Sequence, residues 1–203
     1  MNKDTLDKVK NIKQSFRILM NGETARQMRL SGVNYHLNWG IALTDLMKMA
    51  KEYEKDEFLA MELWKENIRE CKLLAVMLMP SERMTVQLAE LWMEQAPTQE
   101  IVEALAFHLL QYVDFAPELA FRWIAAESPM CQIGGYHILA RLFSRGKLPD
   151  DREICEVIDQ AISALHDEST SVKHAAYNCL QKLSQIDDGY AVVVEKALKT
   201  NGF

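Results

Sequence analysis

The chain has 203 residues, 49% hydrophobic and 26% charged, the size and balance of an ordinary soluble globular protein with ample core. Its formal net charge of −6 argues against a globally basic nucleic-acid binder. No charged-then-apolar leader opens it and no apolar run approaches a membrane span, so no membrane association and a cytoplasmic location are expected.

The charge is unevenly placed. Nine Lys and Arg residues fall between Lys3 and Lys51, whereas none lies between Arg83 and Arg122. That gap holds Glu90, Glu94, Glu100, Glu103, Asp114 and Glu118, so the N-terminal quarter is basic and the middle acidic. Glycine (8) and proline (5) are scarce, helix formers are abundant, and alternating runs are too short for strands. The chain reads as all-α.

In chain order, Leu6, Val9, Ile12, Phe16 and Leu19 recur at three- and four-residue steps and predict an amphipathic helix over 3–20. Asn21-Gly22 ends it, and a short helix follows over 23–30. The segment 32–41 is turn-rich and carries Tyr35 and Trp39, aromatics that either touch a ligand or tuck over the core. Helix resumes over 43–53, with Thr44 or Asp45 near the cap. The stretch 64–79 is the most apolar: Leu73, Leu74, Met77 and Leu78 form a stripe that Val76 and Met79 widen, and Pro80 closes it. A helix this apolar must be covered on most sides.

After Asp56 the pattern becomes helix, short break, helix. Residues 58–65 pair with 69–79, 81–95 with 98–113, 117–127 with 130–143, and 151–165 with 171–185, before a last helix over 189–199. The second helices start at Arg69, Thr98, Met130 and Ser171, 29, 32 and 41 residues apart. This irregular period predicts a single domain, 1–203, built as a HEAT-like α-solenoid, an α–α superhelix of the armadillo-repeat kind with a concave binding face. A compact bundle is the alternative. Gly134-Gly135 inside a helix implies close helix approach, and Trp92 and Trp123 fit apolar core faces. Cys71, Cys131, Cys155 and Cys179 form no paired-cysteine motif and read as small buried hydrophobes. His108, His137 and His174 share no ligand spacing, so no metal site is expected.

Three ordered motifs carry a family resemblance. Gln27-Met28-Arg29 precedes Tyr35 and Gly40-Ile41; Leu63-Trp64, Arg69-Glu70 and Leu73-Leu74-Ala75 follow; Val172-Lys173-His174-Ala175 with Leu180-Gln181 comes last. Together, over roughly residues 24–185, they resemble the DNA alkylation repair (AlkD-like) proteins. The resemblance implies excision of cationic alkylated purines by a monofunctional DNA N-glycosylase without cofactor. There a carboxylate stabilises the developing oxocarbenium charge and aromatic faces cradle the cationic base.

Carried over by position, the resemblance implies Glu103 as the catalytic carboxylate, one methylene longer than the family's Asp. Gln99 stands for the preceding Trp. The Trp-x-Arg-Arg stretch falls near Cys131–Gly134, including Ile133 and Gly134, with neither ring nor cation. The final-helix Trp falls on Asn178, beside Tyr177, and the following Arg on Gln181. One of four roles is kept in kind, and the alternative for Glu103 is a solvated helix carboxylate beside Glu100. Arg26, Arg29, Lys48, Lys51 and Lys173 are the candidates for gripping phosphates of alkylated or otherwise structured DNA. Two functions follow: a divergent glycosylase with partly retained machinery, or a non-catalytic solenoid binding DNA or a protein partner. A monomer is expected.

Overall fold

Apolar residues at three- and four-residue steps fold the chain almost wholly into helices. The computed structural model describes residues 3–203, and among these it holds twelve α-helices, two 3-10 turns and no β-strand. Helices α1 (Lys3–Leu19), α2 (Gly22–Leu30) and α3 (Leu43–Ala50) frame the irregular segment 31–42. Four pairs follow: α4 (Glu57–Lys65) with α5 (Arg69–Leu78), and α6 (Val86–Glu94) with α7 (Gln99–His108). Then come α8 (Ala116–Ile124) with α9 (Pro129–Ser144) and α10 (Asp151–Ala164) with α11 (Thr170–Ser184). Helix α12 (Asp188–Thr200) ends the array. The helix starts are chemically marked. Asn21, Asp56, Thr85, Asp150, Ser169 and Asp187 each accept a first-turn N–H, and Asp150 with Glu153 completes a capping box.

The second helices α5, α7, α9 and α11 pack side by side in that order. The first helices flank them: α4 lies on α5, α8 on α9 and α10 on α11. Helix α1 covers α4, α3 covers α5, and α12 seats on α10 and α11. One continuous cluster of buried apolar side chains runs from Val9 to Val194. All ten residues of α5 are buried, so the most apolar stretch is the centre of the N-terminal half. Trp92 and Trp123 are core, and Trp92 stacks on Trp64 with centroids 4.2 Å apart, joining α4 to α6.

Some boundaries differ from the periodicity. Residues 81–95 are not one helix: Ser81–Arg83 is a 3-10 turn, and α6 begins after Thr85, which caps it. Residues 98–113 break at Leu109, whose φ of −133° and ψ of −64° leave the helical region, and Leu110–Tyr112 forms a second 3-10 turn. Helix α3 starts after Ala42 with no side-chain cap, so Thr44 and Asp45 lie in its first turn instead. Two cysteines also depart from expectation. Cys71 and Cys179 are buried, but Cys131 is half-buried and Cys155 exposed. The buried face of α10 is Ile154, Val157, Ile158, Ala161 and Ile162, and Cys155 falls off it.

The Gly134-Gly135 pair permits the close approach of α9 to α8. A Cβ on Gly135 would stand 2.8 Å from the Ala120 carbonyl oxygen and 2.9 Å from the Ile124 nitrogen.

Segment 31–42 is held by charge. Arg69 Nε and Nη2 donate to both oxygens of Glu100 on α7, at 2.8 and 2.6 Å. Its Nη1 donates to the Ile41 carbonyl at 2.9 Å and to Glu70 at 3.1 Å. Glu70, fully buried, also accepts the backbone N–H groups of Trp39 and Ile41. Tyr35 Oη donates to Glu100 at 2.5 Å and lies 2.6 Å from Thr98 Oγ1. Tyr35 thus serves the fold. Burial works to raise the Glu100 carboxyl, but the Arg69 and Tyr35 hydrogen bonds outweigh it and hold it below the ordinary range. Gly40 is the hinge of this latch: its φ is +70°, and a Cβ there would meet the Asn21 carbonyl oxygen at 2.1 Å.

Candidate nucleic-acid interface

In a HEAT-like stack the second helices line the concave side. Glu103 lies on α7 one turn after Gln99, whose amide donates to it at 2.7 Å. Across the α7–α9 seam, His137 Nε2 stands 3.7 Å from the same Oε1. The imidazole first, then the Gln99 amide, hold the Glu103 carboxyl below its ordinary value against the opposing effect of partial burial. Glu103 is therefore an ionised, half-exposed carboxylate with one oxygen already engaged.

The remaining positions carried over from the resemblance scatter. Gln99 is half-buried and spent on Glu103. Ile133 and Gly134 are buried, and Gly134 faces Met93, Trp123 and Val102, so neither presents a group to solvent. Tyr177 and Gln181 are exposed on α11, with Asn178 and Lys173 half-buried on the same helix. Because α9 sits between α7 and α11, these residues and Glu103 flank one helix.

The N-terminal cations lie elsewhere. Arg26 is paired with Glu23 and Lys48 with Asp45, each on its own helix and each exposed. Arg29 on α2 and Lys51 after α3 are exposed and make no ion pair among the described residues.

A second group of cations, not picked out by motif, lies on the α7–α9 seam. Arg141 Cζ stands 5.3 Å from the centroid of the Phe107 ring, and Arg145 Cζ 4.6 Å from that of Tyr112. Between these pairs Gln111 donates to the Phe107 carbonyl, and its own carbonyl accepts from Arg145 Nη1 at 2.5 Å. His108 lies near enough to Arg141 and Lys55 that both, after burial, lower its pKa. Neither Arg141 nor Arg145 pairs with a carboxylate among the described residues. The acidic middle of the sequence falls partly on the outer helices instead, where Glu90 and Glu118 both engage Arg122. The signal was present but easily passed over: Arg141 is two helical turns beyond Gly134, on the same face.

The seam therefore offers two guanidinium groups that donate to Gln111 but meet no carboxylate among the described residues, two exposed rings, and one ionised carboxylate. Phosphate contact suits the first and base contact the second. Among the described residues no His, Cys, Asp and Glu cluster could hold a metal, and no helix is long and apolar enough to cross a membrane.

Comparison with known proteins gives two findings. A family model described as "DNA alkylation repair enzyme" matches residues 12–202. A solved structure described as "A new family of proteins related to the HEAT-like repeat DNA glycosylases with affinity for branched DNA structures" has a similar fold, with a TM-score of 0.80 at 18% identity. The match covers 94% of this chain and 80% of that one. No curated protein matches the chain.

Proposed function

The chain belongs to the DNA alkylation repair enzyme family, and from that premise we propose that it is a DNA-binding HEAT-like solenoid that holds structured DNA without excising a base. The observation that carries this reading is the α7–α9 seam. Among the described residues Arg141 and Arg145 pair with no carboxylate there, while Glu103 on α7 is engaged by Gln99 and His137. Cations positioned by aromatic rings suit backbone contact. A carboxylate facing an imidazole, with no ring at position 99, is poorly arranged to stabilise a departing base. The affinity for branched DNA stated for the structural neighbour supports structured DNA as the ligand.

A second reading keeps the glycosylase activity, and one observation favours it: Glu103 is ionised and half-exposed on the helix where the family resemblance places its carboxylate. Two measurements separate the readings. Binding of a four-way DNA junction should weaken steeply with salt, and Arg141→Ala with Arg145→Ala should lower affinity about tenfold or more and flatten that slope. Salt-independent binding, or none, sinks the DNA reading and turns the search to a protein partner. Release of methylated purine from alkylated duplex is expected to be absent. Release abolished by Glu103→Gln would establish the glycosylase instead.

A further inference from the structure

Resting on the DNA-binding reading above, we propose that the α7–α9 seam recognises unpaired nucleotides, stacking exposed bases on Phe107 and Tyr112 and holding the flanking phosphates with Arg141 and Arg145. Phe107 and Tyr112 are 36% and 47% exposed, so part of each ring is open to a ligand. Each has a guanidinium over its ring, at 5.3 and 4.6 Å, and the Phe107 ring also meets His137 at 5.5 Å, so an incoming base extends a stack that already carries positive charge. Gln111 ties the two pairs together through the Phe107 carbonyl and Arg145. The result is a ladder rather than two accidental contacts.

The exposed ring–cation pairs favour unpaired bases: a base inside a duplex shows a protein only its edge, whereas an unpaired base can lay its face on a ring. Arg141 and Arg145 are four residues apart on α9, ~6 Å of helix rise. Aromatic platforms beside cations are how proteins hold unpaired strands, such as those at a gap, flap or branch point, without reading sequence. Tyr177, on the adjacent α11, is a further exposed ring, at 45%.

The test uses the full chain and two labelled DNAs of equal length, a fully paired duplex and the same duplex with a short thymine gap. A parallel gapped DNA carries 2-aminopurine in the unpaired stretch. The gapped DNA is expected to bind about tenfold more tightly. Phe107→Leu with Tyr112→Leu keeps apolar bulk at surface positions, and should abolish that preference, lowering affinity for the gapped DNA far more than for the duplex. Quenching of 2-aminopurine by the unmodified protein, lost in the double variant, reports the stacking directly. Equal affinity for the two DNAs, or equal weakening of both by the double variant, overturns this inference and leaves the DNA-binding reading standing. No binding to either DNA overturns both.

Discussion

Arg69→Met should cost about 3–5 kcal/mol of folding stability, because it strips the cation from two carboxylates at once. Glu70 has no exposed surface and Glu100 is mostly covered, and Arg69 makes four hydrogen bonds among them and Ile41. Methionine fills much of the same space, so the loss reads the stranded charges rather than a cavity. For a chain of this length it corresponds to roughly 6–20 °C in melting temperature. Glu100→Gln should cost less, since the amide oxygen still accepts from Arg69 and Tyr35 and leaves Glu70 to balance the guanidinium. The pH dependence follows from Glu100. Its carboxyl is held below 4.5 in the folded protein, so its contribution is present above 4.5 and is lost as acid takes the pH down through the lowered value. Urea titrations of the two variants at neutral and acid pH check both statements. An Arg69→Met loss under about 1 kcal/mol would mean the latch contributes little.

Gly135→Ala should lose about 2–3 kcal/mol, even after the ~1 kcal/mol that alanine gains over glycine within a helix. The new methyl meets the Ala120 carbonyl oxygen and the Ile124 nitrogen, backbone atoms that yield only if α8 moves off α9. Gly134→Ala is the matched control. There the nearest atom, at 2.5 Å, is the terminal methyl of Met93, which can rotate away, and Trp123 and Val102 stand at 3.2 Å. That variant should lie within about 1 kcal/mol of the parent. Equal losses at both positions, measured by urea melts, would mean the α8–α9 approach is not what the glycines permit.

The helix array was legible in the sequence because its signals are local. The stripe around Leu73 and Leu74, the breaks at Pro80, Pro97 and Pro117, and the spacing of the second helices specify the HEAT-like stack without long-range information. Gly134-Gly135 was legible for the same reason, since glycine inside a helix has few explanations. What stayed hidden depends on neighbours far along the chain. Arg69-Glu70 served as a family motif, yet its partners Glu100, Ile41 and Tyr35 are brought to it only by folding. Glu100 consequently looked like one more solvated helix carboxylate. Phe107 and Arg141 lie 34 residues apart and meet only when α7 lies beside α9, so no spacing in the sequence announces the pair. The basic N-terminal quarter drew attention to Arg26 and Lys48, whose charges are met by Glu23 and Asp45 within a single turn.

The latch at segment 31–42 also settles how the array comes apart. Units that touch only their neighbours open from their free ends, each giving way with little effect on the next. Tyr35, however, is bonded to Glu100, 65 residues further along, with the whole α4–α5 pair between them in the chain. The first three helices cannot peel away without breaking bonds that belong to α7, so the beginning of the chain melts with its middle. At the other end α12 buries only Val194 fully, and among the described residues its side-chain hydrogen bonds stay within four residues along the chain. Fraying therefore starts at the C-terminus, and amide exchange there should run ahead of exchange in α5 and α7.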